Sequence, residues 1–197
     1  MAITTTKQLG LILGLGIGLG LAPAPIWAAP AQYSLQPDGT VVGFSTDFGK
    51  DQITGHFPIT SANLQLDFDT PGNSTIDVVL NVGAADASFP FAAQALKGPK
   101  VLDSAEFPQI SFTSDKIRAE GGGARVEGQI TIRGVTRPVV LFAQFWQQSG
   151  QTAGSLQLLK IRLNGSVLRS DFGAVGWADM VGDEVRLDIL ALIERDK

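Results

Sequence analysis

The sequence predicts an all-β domain, antiparallel and closed into a barrel. About eight or nine runs alternate apolar and polar side chains with period 2, as strands with one wet face do. Turn residues separate most of these runs. No strand run alternates with helix-period segments in the βαβ manner, which argues against a parallel sheet. Strands of about ten residues, each with one apolar face, can close with their edges paired. A two-sheet sandwich is the other arrangement that such spacing allows.

The first 28 residues stand outside that pattern. Lys7 is their only charge, and the apolar run "LGLILGLGIGLGLA" follows from Leu9 to Ala22. Pro23, Pro25 and small residues around Ala28 come next. A charged start, an apolar stretch and a small-residue zone make a cleavable export signal, with cleavage expected after Ala28 and Ala31 as the rival position. The run is short for a membrane span. Its glycines lack the strand–turn–helix setting of a dinucleotide fingerprint, so no cofactor is expected. Residues 1–28 are thus read as a signal peptide and residues 29–197 as one barrel domain.

The strands then follow in order. "TVVGFSTDF" puts Val42, Phe44 and Phe48 on one parity, and "QITGHFPI" does the same for Ile53, Gly55 and Phe57. "NLQLDFD" aligns Leu64, Leu66 and Phe68. The turn "TPGN" leads to "TIDVVLNV", with Ile76, Val78, Leu80 and Val82 in phase. These two runs are expected to pair as an antiparallel hairpin. Alternation then stops from Gly83 to Pro108. "FPFAAQALKG" predicts a short helix over Phe89–Leu96, capped by Ser88 and stopped by Gly98, and the long connection predicts a cap or lid. Strands resume at "QISFTSDKI", "RVEGQITIRG", "RPVVLFAQFWQQ", "SLQLLKIRLNGSV" and "DEVRLDILALIER". Pro138 suits a first strand position.

Composition narrows the classes of function. The chain carries a net charge of −4 with no basic block, so a nucleic-acid partner is not expected. Lys7 is one of only 15 basic residues, so the mature chain is one unit more acidic still. There are no cysteines and a single histidine, which leaves no thiolate or His-rich metal site. Asp183 and Glu184 read as a charged turn rather than a metal site, which needs several convergent oxygens. His56 lies on the parity opposite Phe57 and reads as a surface residue. "DFG" at Asp171–Gly173 has no kinase companions and reads as a turn around Gly173. No nucleophile elbow, zinc motif or catalytic dyad is present, so no enzyme is predicted. Arg133 and Arg137 flank a turn and read either as solvated strand ends or as a phosphate site. Phe89, Phe91, Trp146 and Trp177 read either as the lining of a mouth or as core at the barrel ends. An eight-stranded barrel holds either packed side chains or one small ligand, and periodicity leaves both open.

Spaced motifs carry a resemblance. "FPQISF", Phe107 to Phe112, and "VEGQITIRGVTRPV", Val126 to Val139, resemble the YceI-like family of bacterial periplasmic proteins. Further matches are Gly55 with Phe57, "ALKG" at Ala95–Gly98, "RSDFG" at Arg169–Gly173 and "VGDEVRLDI" at Val181–Ile189. They span about residues 33–195 in the family's order. The chain departs from the family at Gly39-Thr40, between Val82 and Leu96, and at "VLDSAEF" after the helix. The resemblance implies an antiparallel eight-stranded lipocalin-like barrel with one short helix or cap segment. It implies a periplasmic protein whose lumen holds a polyisoprenoid or another long-chain lipid, and it leaves a homodimer open. The expected lumen residues are Phe44, Phe57, Leu66, Val78, Leu80, Phe112, Ile130, Ile132 and Leu141. Arg169 and Asp171 are the expected head-group contacts. A packed barrel serving a stress-response or structural role is the alternative reading, ahead of an enzyme acting on a lipid in the same cavity.

Overall fold

A computed structural model describes residues 29–146 and 155–197. The expected signal peptide lies outside the described residues. Strand β1 (Ala31–Leu35) and strand β2 (Val41–Phe48) lie end to end, separated by a one-turn 3-10 segment at Pro37–Gly39. β3 (Asp51–Phe57) and β4 (Ile59–Leu66) are likewise successive, with Pro58 between them. β5 (Thr75–Asn81), the two-residue β6 (Asp86–Ala87) and helix α1 (Pro90–Lys97) follow. The remaining strands are β7 (Gln109–Glu120), β8 (Gly123–Ile132), β9 (Val135–Trp146), β10 (Leu158–Leu168) and β11 (Val181–Arg195).

All pairings are antiparallel, and the sheet closes on itself. β11 pairs along one edge with β10, from Glu184 to Glu194. Its other edge pairs first with β2 and then with β1, where Tyr33 faces Arg195 and Leu35 faces Ile193. β1 and β2 thus act as one stave, as do β3 and β4, and the barrel has eight staves. Closure removes the free edges that would otherwise template pairing with other chains.

The strands form where alternation is cleanest. β8 buries every second residue, from Ala124 through Val126, Gly128 and Ile130 to Ile132. Gly128 has a packing reason. A methyl group there would come within 2.7 Å of the Phe112 ring, so the glycine leaves room for that ring to lie across the wall. The β8–β9 turn has two residues, Arg133 at φ 51° and Gly134 at φ 72°, the left-handed pair that suits a tight hairpin.

Four local expectations need correction. β1 was absent from the predicted strands, because only Tyr33 of its five residues is buried. The helix runs Pro90–Lys97 with Phe89 at its cap, while Ser88 exchanges hydrogen bonds with Thr54 of β3 instead of capping. Gly98 does stand at its C-cap. Pro138 is the fourth residue of β9, opposite Gln129, not the first. By the alternation of antiparallel pairs, its nitrogen points away from β8, to the side where this stretch of β9 has no β10 residue in register. The missing N–H therefore breaks no ladder bond.

Candidate functional site

The inward faces enclose a cavity of about 430 Å³ running along the barrel. Its wall is almost wholly carbon. All nine expected lumen residues stand on it: Phe44 of β2, Phe57 of β3, Leu66 of β4, Val78 and Leu80 of β5, Phe112 of β7, Ile130 and Ile132 of β8, and Leu141 of β9. Sequence reasoning passed over others on the same wall, including Ile110, Val126, Leu163 and Leu187. Their parity was legible in the runs that hold them. On β8 the lining runs from Ala124 to Ile132. At ~3.4 Å per residue and the usual barrel tilt, this stretch alone is about 20 Å deep.

The few polar side chains on the wall are already engaged. Thr46 Oγ1 donates to the Glu184 carbonyl at 2.9 Å, and Thr40 Oγ1 to the Gln36 carbonyl at 2.8 Å. Asp67 accepts from the Thr70 amide at 2.7 Å and the Asn73 side chain at 3.1 Å, which holds its carboxyl below the usual carboxylate range. Ser74 Oγ accepts from the Asp67 amide at 2.9 Å. At this end of the cavity Phe68 packs edge-on against both Tyr33 and Phe145.

The opposite end is the mouth. It is framed by α1, the β2–β3 turn and the connection from β10 to β11. Phe89, Phe91 and Met180 line the cavity there, yet are 43%, 69% and 47% exposed. Trp177 lines it too, at φ 53°, a left-handed conformation that bulky residues rarely adopt. The side chain of Trp146, the fourth expected aromatic, lies outside the described residues. His56 is exposed, as its parity predicts.

The two expected head-group contacts do other work. Arg169 is 8% exposed, and its guanidinium is consumed by backbone. Its Nε donates to the Gly182 carbonyl at 2.9 Å, Nη1 to Ala174 and to Gly176 at 2.8 Å, and Nη2 to Val181 at 3.0 Å. It therefore pins the loop that carries Trp177 and spends four of its five N–H donors there. Asp171 is exposed and lies off the cavity wall. Gly173 at φ 70° ends the turn in which both sit. Nearby, Asp183 accepts from the Ser170 hydroxyl at 2.7 Å and the Ser170 amide at 2.9 Å, which lowers its pKa. Arg133 spends Nη1 on the carbonyls of Pro99 and Val101, at 2.9 and 2.8 Å, and stands over the Phe107 ring. It ties the segment after α1 to the β8–β9 turn.

Among the described residues, no group of three or more His, Asp or Glu could hold a metal ion. No helix among them is long and apolar enough to cross a membrane.

The family model of the YceI-like domain matches residues 33–191. The chain belongs to the YceI-like family. As a YceI-like chain it is 28% identical to protein YceI of Salmonella arizonae over 154 residues, which are 74% of this chain and 81% of that relative. Its fold is that of Burkholderia cenocepacia BcnA, at TM-score 0.71 and 20% identity over 81% of this chain and 99% of that one. It is also similar to the Campylobacter jejuni YCEI protein, at TM-score 0.57 and 19% identity over 91% of this chain and 92% of the other. A polyisoprenoid binding domain from Saccharophagus degradans, implicated in plant cell wall breakdown, matches at TM-score 0.58 and 11% identity, over 84% of this chain and 99% of its own. At such identities the three structures speak for the YceI-like barrel alone.

Proposed function

We propose that the mature chain is a periplasmic, non-catalytic carrier of a long-chain, mostly apolar lipid, a polyisoprenoid or a close chemical relative. The observation that carries this reading is the continuous carbon-lined lumen, whose few polar side chains are already bonded within the protein. Such a wall has almost nothing to offer a polar ligand and much to offer a chain. Each buried CH₂ is worth about 0.8 kcal/mol before ordering costs. Depth favours a long chain. A leaflet's acyl tail spans half of a hydrocarbon core that is ~30 Å thick, whereas the stretch along β8 alone is about 20 Å deep. The polyisoprenoid-binding domain among the structural relatives is consistent with that class. On the described wall the carboxylate Asp67 is already bonded to the Thr70 amide and the Asn73 side chain, which supports transport over chemistry. Phe44, Phe57, Leu66, Val78, Leu80, Phe112, Ile130, Ile132 and Leu141 are then the tail contacts.

Ile132→Trp tests the reading. In an open lumen the indole fills space meant for the tail, so the variant should lose co-purifying lipid while the delipidated protein melts near the wild-type temperature. Organic extraction with mass spectrometry and a pair of thermal melts read both quantities. Clear destabilisation, with no lipid in either protein, would mark a packed barrel instead.

A further inference from the structure

With four of the five Arg169 N–H donors spent on backbone and Asp171 off the wall, the lumen offers the polar end of a bound lipid little. A second hollow, of about 310 Å³, adjoins the mouth on its α1 side. It is lined by Phe91, Gln94 and Ala95 of α1, by Gly98, Pro99 and Lys100 after it, and by Trp177. Phe91, Ala95 and Trp177 belong to both hollows, so the two meet at the mouth across a shared wall.

The chemistry of the two hollows differs. The lumen's polar atoms are almost all satisfied, whereas this groove holds two exposed donors with no partner among the described residues. One is the Gln94 amide and the other the Lys100 ammonium. Every ion pair among the described residues uses an arginine, and none involves Lys100. The Lys100 Nζ stands 5.8 Å from the centroid of the Trp177 ring. No carboxylate lines the groove. Its shape is fixed from below, since the Gly176 amide donates to the Lys100 carbonyl at 2.9 Å and Arg169 holds the loop on either side of Trp177. The left-handed Trp177 is thereby held as a shared wall, tail space on one side and polar groove on the other.

We infer that the Phe91–Gln94–Lys100–Trp177 groove is the head-group subsite of this carrier, and that it takes an oxyanion such as a phosphate joined to the tail in the lumen. This rests on the lipid-carrier reading. Lys100 supplies a charge-assisted hydrogen bond, Gln94 a neutral one, and the two aromatic rings flank the link between head and tail.

Farnesol and farnesyl monophosphate, titrated calorimetrically into the delipidated mature protein at low salt, separate head from tail. Wild type should bind both, the phosphate at least about tenfold more tightly, with the gap closing as salt is added. Lys100→Met should collapse the gap to less than about threefold and leave the farnesol Kd within about twofold. Lys97→Met, a control on α1 outside the groove lining, should leave the gap intact. Equal affinities in wild type, or a gap that survives Lys100→Met, would overturn the subsite while leaving the tail site standing. A gap erased equally by Lys97→Met would also overturn it, by showing a diffuse charge effect. Binding of neither probe by wild type would remove the carrier reading and the subsite with it. Thermal melts of each variant guard against misfolding.

Discussion

A guanidinium that serves four carbonyls of one loop has no smaller substitute. Arg169 is buried, and truncating it would strip its bonds from the carbonyls of Ala174, Gly176, Val181 and Gly182 together, leaving only Gly182 a second side-chain donor, the Thr46 hydroxyl at 3.1 Å. Arg169→Met should therefore destabilise the protein by about 2–4 kcal/mol, and Arg169→Lys should recover only part, because an ammonium cannot span the same fork. Urea melts of the two variants check this, and a loss below about 0.5 kcal/mol in Arg169→Met would contradict it. The sequence could not assign this role. An arginine four residues before a glycine reads as a ligand contact as readily as a loop anchor, and the bonds that decide the matter run forward to residues 174–182. Lumen residues were easier, because each strand's parity marks one face and the barrel leaves that face only one place to go. The groove at Lys100 carried no such mark, since Gln94, Lys100 and Trp177 come together only through the cap.

Among the elements, the β8–β9 hairpin is the most fully specified by its local sequence. Alternation on both arms and a glycine at the second turn position agree on one register, Ile132 opposite Val135. Gly134→Ala should cost about 1 kcal/mol or more, because the turn needs a positive φ and the Phe107 ring lies 3.1 Å from where the methyl group would sit. Equilibrium unfolding that matches wild type would mean the turn rearranges freely. β4 and β5 were legible as a hairpin for the same reason, and they pair with Leu64 facing Ile76. β1 was not, because five residues with one buried side chain carry too little pattern to rise above a loop. The break at Pro58 was equally invisible. Phe57 and Ile59 continue in phase across it, and only the change of partner, from β2 to β1, makes β3 and β4 separate strands.

At the scale of the molecule, charge acts on the outside of the barrel and, at Asp67, on one end of its wall. Asp47 and Asp188 accept from arginines on neighbouring strands, Glu127 from Arg125 of its own strand and Arg118 of β7, and Asp67 and Asp183 from local amides and side chains. All five carboxyl groups titrate below their ordinary values. The native state therefore binds fewer protons than the unfolded chain as pH falls, so their contribution is present above the ordinary carboxylate range and lost as pH drops through the lowered values. Melting temperature should be level from neutral pH to about 5 and fall below about 4. The deficit of Asp183→Asn relative to wild type should shrink on the acid side. A deficit that stays constant across the range would separate Asp183 from the acid transition. Closure of the sheet has a consequence in time. The ring is sealed where residues 33–35 meet residues 193–195, the first strand against the last. A chain made or threaded from its N-terminus can form its hairpins early, but the last row of hydrogen bonds must wait for the final residues to arrive. Pairing across so large a separation belongs to the slow end of the folding range, milliseconds to seconds. Until β11 docks, its edge of β1 is unpaired, and the barrel is at its most vulnerable to a stray partner just before it closes.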